Sequence, residues 1–539
     1  MNKITLLIIF SIFSTHLFSQ SNSERNILHA IKINDHKVVL DEDHKIISWI
    51  TPQSNAYNEF LHQRWSFFKN EVQTYPGTSY PEYFFSCGFS NQKYGTPSGW
   101  MNDIGEKIPN LFESARLYYA YCGDTVAMNL VKDLIDYTLI HGTSPSDFAW
   151  PNFPYTTTNA GDLWFRGFTD HDNLHLHEIQ VDHAGDMGLT YFRMYQFTDD
   201  EKYLKAAINV ADVLSKYAKV GNEKESVWPY RVIMSNGKIT APYGANWTGC
   251  YMLLENLIRA NLGNVEAYRS ARNKAKDFFL KYPMKTGYWT DGHSDTDVNS
   301  NTYKSNLSAS NMKLCLFDYP ELDPNWKLNI PQLIKWTEVN FVDRCNIGEP
   351  STQWGANIVG EQDSFLPKMD YQTARYGAEC ARWYAVTGDE SYKEKAYRSL
   401  NWVTYCNDSD GMAYESPVSV GVETWWSDTY GECPRMFYHA MAGVPEWAPP
   451  GENHILYTEG ILKNVIYTNK RVQYYATNKN GTDFLRVAFK PTKVSFNNDI
   501  LKLKNDTNSN EAGYTLKDLG NNDYSLIITR NNKGTIIIE

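Results

Sequence analysis

Along most of this chain, apolar residues recur every three or four positions, and the pattern is interrupted by short turns rich in Gly, Asp and Asn. In "EKYLKAAINVADVLSKYA", Tyr203, Ala207, Val210, Leu214 and Tyr217 fall on one face of a 3.6-residue period, which predicts an amphipathic helix. The preceding segment carries Ala184, Gly188, Tyr191, Phe192 and Tyr195 on one stripe. Gly185 and Gly188 are poor helix formers there, so they are expected to mark close approach of a neighbouring helix.

Helix–turn–helix units of this kind repeat. "LFESARLYYAYCGDTVAMNLVKDLIDYTL" turns near Gly123, "LTYFRMYQFTDDEKYLKAAINVADVLSKYA" near Asp199, and "YMLLENLIRANLGNVEAYRSARNKAKDFFLKY" near Gly263. A weaker copy lies in "MKLCLFDYPELDPNWKLNIPQLIKWTEVNF" and a strong one in "GAECARWYAVTGDESYKEKAYRSLNWVTY". Partial hairpins at "YNEFLHQRWSFFKNEV" and "YGECPRMFYHAMAGV" bring the expected total to about six. A single hairpin cannot bury its own apolar faces, whereas a ring of them can. The expected fold is therefore mainly α: an (α/α)5-6 toroid over residues 21–450.

Past "GVPEWAPPGENH" the period changes to two. Short alternating runs such as "RVQYYATN", "DFLRVAFK" and "YSLIITRN" predict a small antiparallel β domain, sandwich-like, over residues 451–539. "NKNG" is the favoured hairpin turn within it. At the other end, "MNKITLLIIFSIFSTHLFSQ" reads as a signal peptide, residues 1–20, with no lipid-accepting Cys after it. Export to the periplasm or medium without a membrane anchor is expected.

Net charge is −11, which argues against nucleic acid as a partner. The 37 Tyr and 16 Trp are abundant, and such side chains either fill cores or stack on ligand faces. The eight Cys are scattered singly, with no C-x-x-C pair; buried thiols are expected, with one or two disulfides left open.

Candidate chemistry sits in the long connections between hairpins, which must all emerge at one mouth of a ring. The stretch "FTDHDNLHLHEIQVDHAGDMG" holds His171, His175, His177 and His183 among Asp170, Asp172, Glu178, Asp182 and Asp186. Asp182 is a good N-cap residue type, which places His183 at a helix N-terminus, where the helix dipole favours a neutral imidazole suited to a general base. Each histidine alone is as well explained by exposure or packing. The His-x3-His-x-His spacing leaves a metal ion between His171 and Asp186 open, although it matches no diagnostic motif; otherwise no cofactor is expected. Other mouth candidates are Arg166 and Arg231, Tyr243, Asn246 and Trp247 in "APYGANW", Tyr371 and Arg375 in "DYQTARYG", and Glu415, Trp425, Trp426 and Asp428 in "YESPVSVGVETWWSD". Any one Tyr is as readily a core residue, while the Trp425–Trp426 pair suits a stacking platform for sugar rings.

Taken together, the hairpins, the aromatic loops and the C-terminal β region resemble toroid-fold polysaccharide lyases and the six-hairpin glycoside hydrolases, including unsaturated glucuronyl hydrolases. "HLHEIQVDHAGD", "APYGANWTG" and "DYQTARYG" resemble segments of bacterial enzymes degrading ulvan-type, uronate-rich glycans. That resemblance implies an anionic poly- or oligosaccharide substrate and β-elimination, with chain cleavage by a lyase or loss of water by a dehydratase. In this reading His175, His177 or His183 acts as base or charge neutraliser, and Tyr243 or Tyr371 as acid/base. Asn246 and Arg375 hold the carboxylate, while Arg166, Trp247, Glu415, Trp425 and Trp426 bind sugar. Hydrolysis by paired carboxylates drawn from Glu178, Asp182, Asp186, Asp370, Glu415 and Asp428 is the alternative. A non-catalytic glycan-binding protein is a third reading.

Overall fold

The structure is a computed structural model. It describes residues 36–89, 102–158, 161, 165, 167–170, 173–290, 303–345, 350–363, 365–414, 416–417, 427–505 and 511–539; for 166–175, 365, 427 and 428 no side chain is described. The expected signal peptide lies outside these residues.

Twelve long helices alternate between two concentric rings among the described residues. The inner ring is α2 (Ile104–Cys122), α4 (Val181–Thr198), α6 (Thr248–Ala260), α8 (Asn306–Asp318), α10 (Asp370–Thr387) and α12 (Ser427–Gly443). The outer ring is α1 (Ala56–Asn70), α3 (Val126–His141), α5 (Glu201–Tyr217), α7 (Val265–Lys281), α9 (Trp326–Thr337) and α11 (Glu390–Thr404). Each inner helix packs on the next, and α12 returns to α2. The sixth hairpin is closed by the first and last long helices, because α1 packs on α12. The expected toroid is the one found, with six hairpins.

Local chemistry explains the turns. Inner helices end on left-handed residues, Gly123 (φ 79°), Asp199 (φ 61°), Asn261 (φ 57°) and Gly388 (φ 72°), where Gly, Asn and Asp carry the smallest penalty. Outer helices then begin on side-chain caps: Asp200 accepts from the Lys202 amide at 3.0 Å, and Asp389 from the Ser391 amide at 3.0 Å. Close helix approach is also visible: a Cβ on Gly185 would lie 2.2 Å from Cys250 Sγ, so α4 meets α6 through hydrogen alone.

At the mouth, the histidine-rich stretch forms strands rather than an irregular loop. β1 (Gly167–Asp170) pairs with β2 (Asn173–Leu176), and β3 (Glu178–Gln180) joins β4 (Arg231–Ile233) and β5 (Lys238–Ala241) in an antiparallel sheet. β3 runs directly into α4, whose N-cap is Gln180 in extended conformation. Asp182 is therefore a helical residue and not the expected cap.

The C-terminal region is a pair of antiparallel sheets. Its strands are β6 (His454–Thr458), β7 (Leu462–Thr468), β8 (Arg471–Ala476), β9 (Gly481–Val487), β10 (Val494–Phe496), β11 (Asp499–Ile500), β12 (Gly513–Gly520), β13 (Asp523–Arg530) and β14 (Gly534–Ile538). The sheet orders are β6-β9-β13-β12 and β7-β8-β14-β10-β11. Between them Val472, Tyr474, Leu485, Leu526, Ile528 and Ile536 form a separate apolar core. "NKNG" is not a hairpin: β8 and β9 belong to different sheets, and Arg530 holds the crossing through the Asn478 carbonyl at 2.9 Å. β6 packs against α2 and α12, across the end of the toroid opposite the mouth. All eight cysteines are free thiols. No helix among the described residues is long and apolar enough to cross a membrane.

Candidate active site

A cavity of about 110 Å³ lies on the toroid axis, lined by all six inner helices and by Tyr457 of β6. Its lining follows a helical period. α2 contributes Glu106, Asn110 and Glu113, α4 His183, Asp186 and Thr190, α8 Asn311, Cys315 and Asp318, and α12 Arg435 and His439. At about 1.5 Å rise per residue, Glu106 to Glu113 spans roughly 10 Å of depth.

One continuous belt of side-chain hydrogen bonds passes through the whole inner ring. Asn246 donates to Asp182 at 3.3 Å and accepts from Asn311 at 3.0 Å. Asn311 in turn accepts from Arg375 at 2.7 Å. Arg375 forms an ion pair with Glu432, whose other oxygen accepts from Asn110 at 3.3 Å. Arg375 and Glu432 are almost completely buried, so removing either partner would strand a charge away from water, at a cost of about 3–5 kcal/mol. Burial and nearby Arg435 push the Arg375 guanidinium down to about 9, which leaves it charged at neutral pH. Its remaining donors go to Ser310 and Asn311, so Arg375 is committed to the wall.

Above the belt the cavity is acidic. His183 Nδ1 lies 3.6 Å from Asp103 Oδ1, and both are buried. Burial opposes charge on this imidazole, yet the carboxylates of Asp182, Asp103 and Glu106 raise it to about 10. His183 is thus an imidazolium, opposite to the neutral base expected from the helix dipole: nearby full charges outweigh a terminal partial charge. One turn further along α4, burial raises the Asp186 carboxyl to about 7, with Asp182 and Glu106 adding to the shift and His183 and Arg435 opposing it. A Cβ on Gly249 would overlap Asp186 Oδ1 at 1.8 Å, so glycine at that position makes room for the carboxyl.

Below the belt Glu113, Asp318, Arg435 and His439 line the cavity, and further arginines gather behind them. Arg116 and Arg193 bind Glu113 from behind the wall, and with Arg435 they hold its carboxyl down at about 2 against burial. His439 is kept well below the ordinary histidine value, by burial first and then by Arg382, Arg435, Arg116 and Arg375. Its ring lies 4.3 Å from that of Tyr457, whose hydroxyl donates to Asp318.

Of the residues expected at the site, the structure brings His183, Asp186, Asn246 and Arg375 to this cavity. Others lie elsewhere. His177, at φ 63°, is bonded to Tyr155 Oη at 2.6 Å and packs edge-on against Phe148. Tyr243 packs against Phe278, with burial pushing its hydroxyl up. Trp247 is fully buried and donates to the Gly244 carbonyl at 2.7 Å. Tyr371 donates to Glu361, Glu178 accepts from Thr240, and Arg231 is buried in β4. Asp370 sits behind the wall on Arg64 at 3.2 Å, raised to about 6 by burial in spite of that arginine. His171, Arg166, Glu415, Trp425 and Trp426 lie outside the described residues, as do the side chains of His175 and Asp428. Among the described residues no three His, Cys, Asp or Glu side chains are grouped to hold a metal ion.

Loop reading missed Glu106, Asn110, Asn311, Glu432, Arg435 and His439. The available signal was a polar stripe inside apolar helices, as in Glu432, Arg435 and His439 at i, i+3 and i+7.

No protein-family model and no curated protein matches the sequence. Solved structures do match the fold. The cellobiose 2-epimerase of Bacillus thermoamylovorans B4167 superposes with a TM-score of 0.51 at 12% identity, over 70% of this chain and 97% of that one. The cellobiose 2-epimerase of Spirochaeta thermophila DSM 6192 gives 0.51 at 9%, over 74% and 99%. A D-mannose isomerase gives 0.51 at 10%, over 71% and 96%. The likeness places this chain among α/α toroids.

Proposed function

We propose that the protein is a carbohydrate-active enzyme that holds a sugar ring in the axial cavity, with Asp186 giving and taking a proton. The observation that carries this reading is the Asp186 carboxyl itself: buried, on the cavity wall, and raised to about 7. A group whose pKa lies near the operating pH suits general acid/base work. Around it stand the carboxylates of Asp182 and Glu106 and the raised imidazole of His183, an environment that drives neighbouring titratable groups apart. The fold supports the substrate class, since the superposable structures carry the names of sugar epimerases and a sugar isomerase.

Two reactions fit such a site. In glycoside hydrolysis, protonated Asp186 delivers its proton to the leaving oxygen while a second carboxylate, Glu106 on the neighbouring inner helix, takes a proton from the water that attacks the anomeric carbon. In β-elimination on a uronate, Arg435, the lining arginine that the belt does not engage, stabilises the carboxylate as charge develops on it. His183 held as an imidazolium cannot accept the proton from carbon, and Tyr243 and Tyr371 stand away from the cavity. Among the described residues hydrolysis is therefore the better supported, with Asp186 as acid, and elimination is the second reading, favoured by Arg435 in the lower half. On either reading residues 21–450 are the catalytic domain, 451–539 an accessory one, and the mature protein is exported without a bound cofactor.

The test is incubation of purified protein with neutral and uronate-containing oligosaccharides, following new reducing ends, ultraviolet absorbance of a C4–C5 double bond, and mass. New reducing ends without absorbance are expected. Absorbance would replace hydrolysis by elimination, and an unchanged mass with altered stereochemistry would indicate an isomerase. A null result on every glycan, with the fold intact, would reject the enzyme reading.

A further inference from the structure

The lower half of the cavity holds chemistry that proton transfer at Asp186 does not use. Arg435 lines it from α12, with a side chain 14% exposed and a buried Nε–H that has no hydrogen-bond partner. Its nearest carboxylate, Glu432 at 3.5 Å, is already taken by Arg375. Around it the guanidinium groups of Arg116 and Arg193 pair with Glu113 and that of Arg382 with Asp318, and Arg116 also donates to the Thr458 carbonyl at 2.9 Å. Arg116, Arg193 and Arg382 are thus satisfied by carboxylates, whereas Arg435 has only the shared Glu432 beside it and an Nε–H without a partner, and a half-satisfied buried charge is costly. His439, beside them, is held well below its ordinary value by burial first and then by these arginines. Tyr457 closes the bottom, its ring covered by Arg382 at 4.9 Å and its hydroxyl held on Asp318.

We infer that the floor of the axial cavity is an oxyanion subsite in which Arg435 binds a carboxylate or sulfate borne by the sugar, with His439 and Tyr457 as its walls. A planar guanidinium with a donor to spare matches either oxyanion, and a charge-assisted bond there is stronger than a neutral one. The inference rests on the sugar-in-cavity reading and adds to it the charge of the substrate and the direction in which that charge points: toward the β region and away from the mouth. It also gives the C-terminal region a part in the site, because Tyr457 reaches the cavity from β6.

Calorimetric titration of the full chain with glucose, glucuronate and glucose 6-sulfate tests this without turnover. The wild type is expected to bind at least one of the two anionic sugars at least tenfold more tightly than glucose, and comparison of the two tells carboxylate from sulfate. Arg435→Gln is expected to abolish that preference, read as the ratio of the glucose and anionic-sugar Kd values within the variant, with its fold checked by circular dichroism. Arg435→Lys, which keeps the charge and loses the fork, should lower the preference at least threefold and serves if the glutamine variant misfolds. Asp186→Asn should bind with the wild-type preference although turnover is lost. Equal binding of glucose and both anionic sugars by the wild type, or an undiminished preference in the Arg435 variants, overturns the subsite. Undiminished turnover in Asp186→Asn with the preference lost in Arg435→Gln overturns the acid assignment and leaves the subsite standing.

Discussion

His183 and His439 line the same cavity, and both are buried, yet they hold opposite charge states. Near the mouth, Asp103, Glu106 and Asp182 surround His183 and keep it protonated. Near the floor, Arg382, Arg435, Arg116 and Arg375 surround His439 and keep it neutral. Burial acts on both in the same direction, disfavouring the cation, so it cannot be the deciding factor. The sign of the neighbouring charges decides. The surroundings of the cavity are thus polarised along its axis, carboxylates about His183 and arginines about His439, and the Asp186 carboxyl feels both His183 and Arg435.

That polarisation can be broken at several points. The largest effect is expected from Asp186→Asn, which keeps shape and removes the proton: a loss of about 10² to 10⁴ in kcat with folding preserved, measured by steady-state kinetics and circular dichroism. Next is Glu432→Ala, which cuts the belt and leaves Arg375 buried without its carboxylate. A loss of about 3–5 kcal/mol is expected from urea unfolding, and a value below about 1 kcal/mol would mean the belt is not a structural element.

A smaller effect, and the sharpest test of the comparison, comes from stability against pH. The His183 pKa is raised on folding, so its contribution is fully present below about 6.5 and is lost as pH rises through about 10. His439 is depressed, so the folded state resists its protonation and loses stability as pH falls below 6.5. Each slope is at most one proton, about 1.4 kcal/mol per pH unit. His183→Gln should therefore flatten the alkaline fall, and His439→Gln the acid fall, in melting curves taken from pH 5 to pH 10. The same flattening in both variants would refute opposite charge states. The smallest effect is expected from Tyr243→Phe, within about twofold in kcat and under about 1 kcal/mol in stability, since its ring packs on Phe278 outside the cavity. A loss above tenfold would return Tyr243 to the chemistry.

Much of this architecture was legible in the chain. Helical period and turn residues such as Gly123, Asp199 and Gly388 give the hairpins, because a left-handed cap and an Asx start are local events. Gly185 marks a helix contact for the same local reason: a side chain there has no room. The closing hairpin was legible only as two fragments, since α1 and α12 come from opposite ends of the helical region. The site was less legible. A search of long loops finds His183, Asn246 and Arg375, which stand at or near helix starts, and passes over Asn311, Arg435 and His439 in the helices themselves. It also assigns His183 the wrong charge, because the helix dipole is visible from sequence and the carboxylate of Asp103, eighty residues earlier, is not.

By itself, then, the sequence determined the elements, their alternation and the switch from helical to strand period at the C-terminal region, since these follow from residue spacing and short-range sterics. The tertiary structure alone decided which polar stripes face the axis, which histidine is charged, that "NKNG" crosses between sheets, and that Tyr457 of the β region closes the cavity. These are properties of electrostatic fields and packing between residues distant in the chain, and such interactions are fixed only when the ring closes.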